Sequence, residues 1–86
     1  MNIEALFQVG AYHADLNEHN QAINIFNKVL ELLPDDSRTL QYRGLSYVAL
    51  DDINKARDDF DNALKMNHSA IIYFERGLLY FKLGNQ

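Results

Sequence analysis

Three histidines, three serines and several aspartate clusters are the side chains in this 86-residue chain that could do chemistry. His13, His19 and His68 are the candidate metal ligands. No two of them fall at i, i+4 on one helix, the spacing that aims two imidazoles at one ion. The chain has no cysteine, so thiolate chemistry, disulfides and Cys-based zinc sites are excluded. Asp35-Asp36, Asp51-Asp52 and the run Asp58, Asp59, Asp61 invite a calcium reading. A calcium loop of the EF-hand type needs glycine at its sixth position and glutamate at its twelfth. Counted from Asp58, those positions hold Ala63 and Ser69, and the match fails. The acidic run reads instead as a solvated helix face, with Arg57–Asp61 and Asp61–Lys65 spaced for i, i+4 pairs. Ser37, Ser46 and Ser69 have no nucleophile-elbow glycines around them. Ser37 and Ser69 read as helix N-caps. The glycines are single, so no loop cradles a phosphate. These residues predict no catalytic, cofactor or metal site, and no enzyme.

Bulk properties narrow the class further. Twelve acidic and eight basic residues leave a formal charge of −4, with the basic residues scattered. No basic footprint for nucleic acid is present. Apolar residues make up 48% of the chain, enough for a folded core. The apolar runs are short and the N-terminus lacks a basic head and long apolar stretch. The expectation is one soluble domain without membrane insertion, cytoplasmic by default.

The elements that must position these residues are written twice over. Shifting the sequence by 34 superposes Leu6 on Leu40, Gly10 on Gly44, Leu16 on Leu50, Ala22 on Ala56, Phe26 on Phe60 and Leu30 on Leu64. Beyond Leu64 the register slips by one, and Gly44, Tyr47 and Leu50 match Gly77, Tyr80 and Leu83. The slip falls at "MNHSA", between helices, where a deletion rotates no helix face. Within each unit, apolar residues recur at three and four, as in Ala22, Ile23, Phe26, Val29, Leu30. Helices are expected over about 3–16, 19–32, 37–50, 53–66 and 70–83, with short connections that make neighbours antiparallel.

This pattern resembles the tetratricopeptide repeat, W-x2-L-G-x2-Y, then A-x3-F, then P, over 34 residues. The first unit supplies Leu6, Val9, Gly10, His13, Ala22, Phe26 and Pro34. The second supplies Leu40, Arg43, Gly44, Tyr47, Ala56 and Phe60, with His68 in the proline slot. The third supplies Tyr73, Arg76, Gly77 and Tyr80 and then stops. The resemblance implies an all-α, right-handed solenoid of five helices in one array. Repeat 1 covers about 3–36, repeat 2 about 37–69, and a partial repeat 3 about 70–86. Glycine inside a helix costs ~1 kcal/mol against alanine. Gly10, Gly44 and Gly77 are therefore expected where a Cβ has no room, with Ala22 and Ala56 opposite and Phe26 and Phe60 filling between units. Stacking of units would make the core.

The resemblance also implies a non-catalytic protein-binding scaffold whose first helices line a concave groove. Its slots fall on Phe7, Gln8, Ala11 and Asp15, then on Arg38, Gln41, Tyr42, Leu45, Val48 and Ala49. In the third unit they fall on Ile71, Phe74, Glu75, Leu78, Phe81 and Lys82. That surface is apolar and aromatic, and suits a partner peptide or helix. Repeats that clamp the C-terminal carboxylate of chaperones carry Lys, Asn, Asn, Lys and Arg where this chain has Phe7, Ala11, Tyr42, Ile71 and Glu75. The resemblance does not extend to that subtype. Two alternatives stand beside the groove: a homodimer formed through the same apolar surface or the apolar terminal helix, and an accessory array within a longer chain. One further pairing comes from spacing. Val9 and Ile25 are sixteen apart, as are Arg43 and Asp59. The second pair is expected to replace an apolar contact by a partly buried salt bridge. Arg76, in the same slot, would point to solvent, borrow Asp59, or find a carboxylate on another chain.

Overall fold

The computed structural model describes residues 2–67 and 70–84. Five helices follow one another: α1 (Ile3–Asp15), α2 (His19–Leu32), α3 (Ser37–Ala49), α4 (Ile53–Met66) and α5 (Ala70–Gly84). No strand occurs among the described residues. Each helix packs on the next, and α1 also meets α3, giving an all-α helical-repeat solenoid 42 × 26 × 18 Å in extent.

The helix ends are determined by local chemistry that repeats with the sequence. α1 and α3 close with the same hydrogen-bond pair. Asn17 and Glu18 donate backbone N–H groups to the carbonyls of Ala14 and His13, at 3.0 and 2.8 Å. Asp51 and Asp52 do the same to Val48 and Tyr47, at 3.0 and 2.9 Å. This is the Schellman arrangement, which needs a left-handed residue just past the helix. Asn17 and Asp51 fill that place, each with φ of 61°, and Asn and Asp tolerate that region better than most residues do. α3 begins differently from expectation. Its cap is Asp36, whose carboxylate accepts from the Thr39 N–H and hydroxyl, and Ser37 is already the first helical residue. An aspartate is as good a cap as serine and sits one residue earlier. The cap expected at Ser69, and His68 in the proline slot, lie outside the described residues.

Packing turns on the small residues. A Cβ added at Gly10 would sit 2.6 Å from the Phe26 ring, and one at Gly44 would sit 3.0 Å from the Phe60 ring. Both rings are fully buried. Ala22 and Ala56 are likewise fully buried. Around Phe26, the rings of Phe7 and Tyr42 stand at 5.8 and 6.2 Å, with Phe7 and Tyr42 edge-on at 5.0 Å. These three aromatics tie α1, α2 and α3 together. Gly77 breaks the pattern: a Cβ there would meet nothing within 4 Å, so the expected close contact is absent among the described residues. No described side chain stands opposite Gly77 as Phe26 and Phe60 stand opposite the other two.

The arginine slot is ionic and buried on one side. Arg43 grips Asp59 with a two-pronged fork, Nε at 2.8 Å and Nη2 at 2.6 Å, and its Nη1 donates to Asn27 Oδ1 at 2.8 Å. One guanidinium thus joins α2, α3 and α4. Burial pushes the Asp59 carboxyl up, and the fork pulls it back down. That carboxylate in turn holds the Arg43 guanidinium above its ordinary value. Arg76 does not borrow Asp59. Its Nη1 lies 3.1 Å from Asp61 on α4, which is the repeat equivalent of Asn27. The slot therefore has a rear partner on the preceding helix, which the sixteen-residue spacing does not reveal. Asp61 is engaged by Arg76 and the Tyr80 hydroxyl, in place of the expected i, i+4 pairs with Arg57 and Lys65.

Alanine at the three glycines separates these environments. Gly10→Ala should destabilise by about 1–3 kcal/mol through forced overlap. Gly44→Ala should cost less, because its overlap is milder. Gly77→Ala should stabilise by up to ~1 kcal/mol through helix propensity alone. Thermal melts of the three variants test this order, and a stabilising Gly10→Ala would sink the tight-contact reading. Asp59→Ala should cost about 3 kcal/mol, because it strands the half-buried Arg43 charge. A loss no larger than that of a surface substitution in urea denaturation would count against the bridge as a structural tie.

Candidate functional site

The odd-numbered helices lie side by side, and two hydrogen-bonded pairs bind them. Both nitrogens of the Arg38 fork reach Glu4, at 3.1 and 2.6 Å. This joins α3 to α1 at the surface. The Arg38 guanidinium also lies 3.7 Å over the Phe7 ring. Arg38 and Gln8 hold the Glu4 carboxyl below its ordinary value. The second pair joins α3 to α5, where the Gln41 side-chain amide donates to Glu75 Oε1 at 2.6 Å.

Between α3 and α5 opens a cleft of about 280 Å³, lined by Leu45, Val48, Phe60, Glu75, Leu78 and Leu79. Its walls are apolar apart from Glu75. Phe60 and Leu79 form its floor as core residues, and Leu45 and Leu78 are its exposed rim. Glu75 is partly buried, and desolvation pushes its carboxyl above the ordinary value, offset in part by the Gln41 amide. A cleft of this size is below the ~300–1,000 Å³ of most small-molecule sites and suits one inserted side chain.

The residues expected to line one groove separate into three groups. Leu45, Val48 and Leu78 share the cleft, with Gln41 holding its acidic wall. Phe7, Ala11 and Tyr42 pack into the α1–α3 core instead. Phe7 is 3% exposed and Arg38 covers it, so it has no surface to offer a partner. Phe74 and Phe81 are exposed on α5, at 66% and 72%. The Lys82 side chain lies outside the described residues. Glu75 was legible only as a groove slot. Its bond to Gln41 crosses two helices, and no local pattern signals it.

Among the described residues, no three potential metal ligands gather. No helix there is long and apolar enough to cross a membrane. His13 meets Glu18 at 2.9 Å and His19 meets the buried Ser46 hydroxyl at 3.1 Å, each in a separate place.

The fold and this surface define a helical-repeat protein with an apolar cleft between successive first helices. Residues 3–36 match the tetratricopeptide repeat family model. The second unit repeats the glycine, alanine and phenylalanine of the first, and together with that match this supports assignment to the tetratricopeptide repeat family. It is similar to BBSome complex member BBS4 of Bos taurus, with 29% identity over 70 residues. That alignment covers 81% of this chain and only 14% of the relative's length. Tetratricopeptide repeats are in general non-catalytic protein-interaction modules.

The raised carboxyl of Glu75 has a stability consequence whose sign is determined. A folded pKa above the unfolded value means that the folded form binds the proton more readily. The favourable contribution is present below the ordinary carboxylate pKa and is lost as pH rises through the folded value. Ionised Glu75 therefore burdens the fold at neutral pH. Glu75→Gln keeps the shape and an acceptor for Gln41, and should raise the melting temperature by on the order of 2 °C near pH 7. The gap should close near pH 3.5, below the carboxylate range. A wild-type chain that melts higher than the variant at neutral pH would overturn the assignment.

Proposed function

We propose that this chain is a non-catalytic interaction module that receives an extended or helical segment of a partner protein on α3 and α5. One observation carries the reading. α5 buries Ile72 and Leu79 against the core while leaving Ile71, Phe74, Leu78 and Phe81 between 54% and 72% exposed. Contiguous exposed apolar surface of that kind marks an interaction site. Leu78 joins it to the cleft, so a bound segment could lay apolar residues along α5 and insert one side chain between α5 and α3. Affinity would come from a few such anchors rather than from total area. Similarity to part of a named complex member supports a role in assembly rather than in chemistry.

The exposed face of α5 also favours a second reading, in which another copy of the chain covers it. Light scattering of the purified protein separates the two: a stable dimer without any partner supports self-association, and a monomer supports a groove awaiting a different protein.

Peptides selected from a random display library supply the test of the groove. Phe74→Ala and Phe81→Ala remove largely exposed rings, so helicity should be unchanged. Each should weaken the selected peptide by about 1–3 kcal/mol if it is an anchor. Undiminished titration-calorimetry affinity in both single variants and in the double would exclude α5 as the binding face. Tyr42→Ala is a poor probe here, because Tyr42 packs against Phe7 and Phe26 and its loss disturbs the core.

A further inference from the structure

The two interfaces between successive first helices are built from equivalent positions, and they differ in one respect. In the first, Phe7 and Tyr42 meet edge-on over the Phe26 ring. In the second, the repeat puts Gln41 in the place of Phe7, Phe60 in that of Phe26 and Glu75 in that of Tyr42. Two large rings are thus replaced by a slim amide and a carboxylate, joined by one 2.6 Å hydrogen bond. The cleft of about 280 Å³ opens in this second interface, with Glu75 and Phe60 in its lining.

The charges of this region are uneven in the same place. Arg38 is committed to Glu4, Arg43 to Asp59 and Arg76 to Asp61. Glu75 has a neutral amide as its hydrogen-bond partner and stands in an apolar wall. Among the described residues, no cation is bonded to it. An ionised carboxylate held in an apolar cleft is costly unless a donor or cation meets it. A chain of methylenes ending in a cation suits both halves of such a cleft, because lysine and arginine lay their stems on apolar surface and keep the charge at a polar contact.

We infer that the cleft between α3 and α5 is a recognition pocket for a lysine or arginine side chain of the partner segment. The stem packs on Leu45, Val48 and Leu78, and the cationic head pairs with Glu75, which Gln41 holds in place. This rests on the proposed groove and assigns the charge of what enters it: a basic residue set among apolar ones that cover Phe74 and Phe81. The Gln41–Glu75 pair would then serve specificity, by rejecting acidic and purely apolar side chains at that position.

The test uses the whole 86-residue chain and a display library of random dodecapeptides. Wild type should enrich peptides with Lys or Arg at one position flanked by apolar residues. Glu75→Gln should still enrich apolar peptides but without the basic position, and Glu75→Lys should shift that position to Asp or Glu. For a selected peptide, changing its basic residue to methionine should weaken binding to wild type about tenfold. The same change should have little effect on binding to Glu75→Gln, with circular dichroism confirming that both proteins are folded. Enriched peptides with no basic preference, or equal losses against both proteins, overturn this inference and leave the groove standing. No enrichment by wild type, with Phe74→Ala indistinguishable from it, overturns the groove and this inference together.

Discussion

The contact of a phenylalanine ring with a helix backbone stripped to glycine is the constraint on which the rest depends. Phe26 lies on Gly10 and Phe60 lies on Gly44 so closely that even a methyl group would overlap or crowd the ring. Each contact draws the two helices of a unit together. The ring that makes it also becomes the floor for the next unit: Phe26 meets Tyr42 of α3, and Phe60 lines the cleft beside α5. The unfavourable helix propensity of glycine is offset by this burial. Remove the close approach, and the aromatic cluster, the side-by-side odd helices and the cleft lose their common support.

Around that constraint the chain varies what it packs. Val9 and Ile25 occupy apolar slots where the next unit has Arg43 and Asp59. Asn27 accepts from Arg43 where Asp61 accepts from Arg76. Phe7 and Tyr42 become Gln41 and Glu75. Each exchange keeps two partners that satisfy one another, which is what a partly buried polar group demands. The last exchange is different in kind, since it puts an amide and a carboxylate in the places of two rings, beside an opening that Glu75 lines.

Helix number and repeat register were legible in the chain, and for local reasons. Periods of three and four mark a helix without reference to its neighbours. The glycine, alanine and phenylalanine offsets recur because each unit solves the same packing problem. The Arg43–Asp59 pair was legible too, since sixteen residues is a fixed displacement from one helix to the next within a unit. Other readings failed where the neighbour was not local. Gly77 carries the same letter as Gly10 and Gly44, yet its space is open, because a glycine is tight only when a ring arrives from elsewhere. Phe7 has the composition of a binding surface but is covered by Arg38 from the following unit.

By itself, the sequence determined an all-α repeat, the positions of its five helices and which small and aromatic residues make them approach. Those follow from backbone propensity and period, which are properties of short stretches. Only the tertiary structure decided that Arg76 takes Asp61, that Gln41 takes Glu75, that Phe7 is core, and that the opening lies between α3 and α5. These depend on how far two helices separated by a whole unit stand apart and how their side chains are rotated. That distance is the sum of the packing between them, and no single stretch of the chain encodes it.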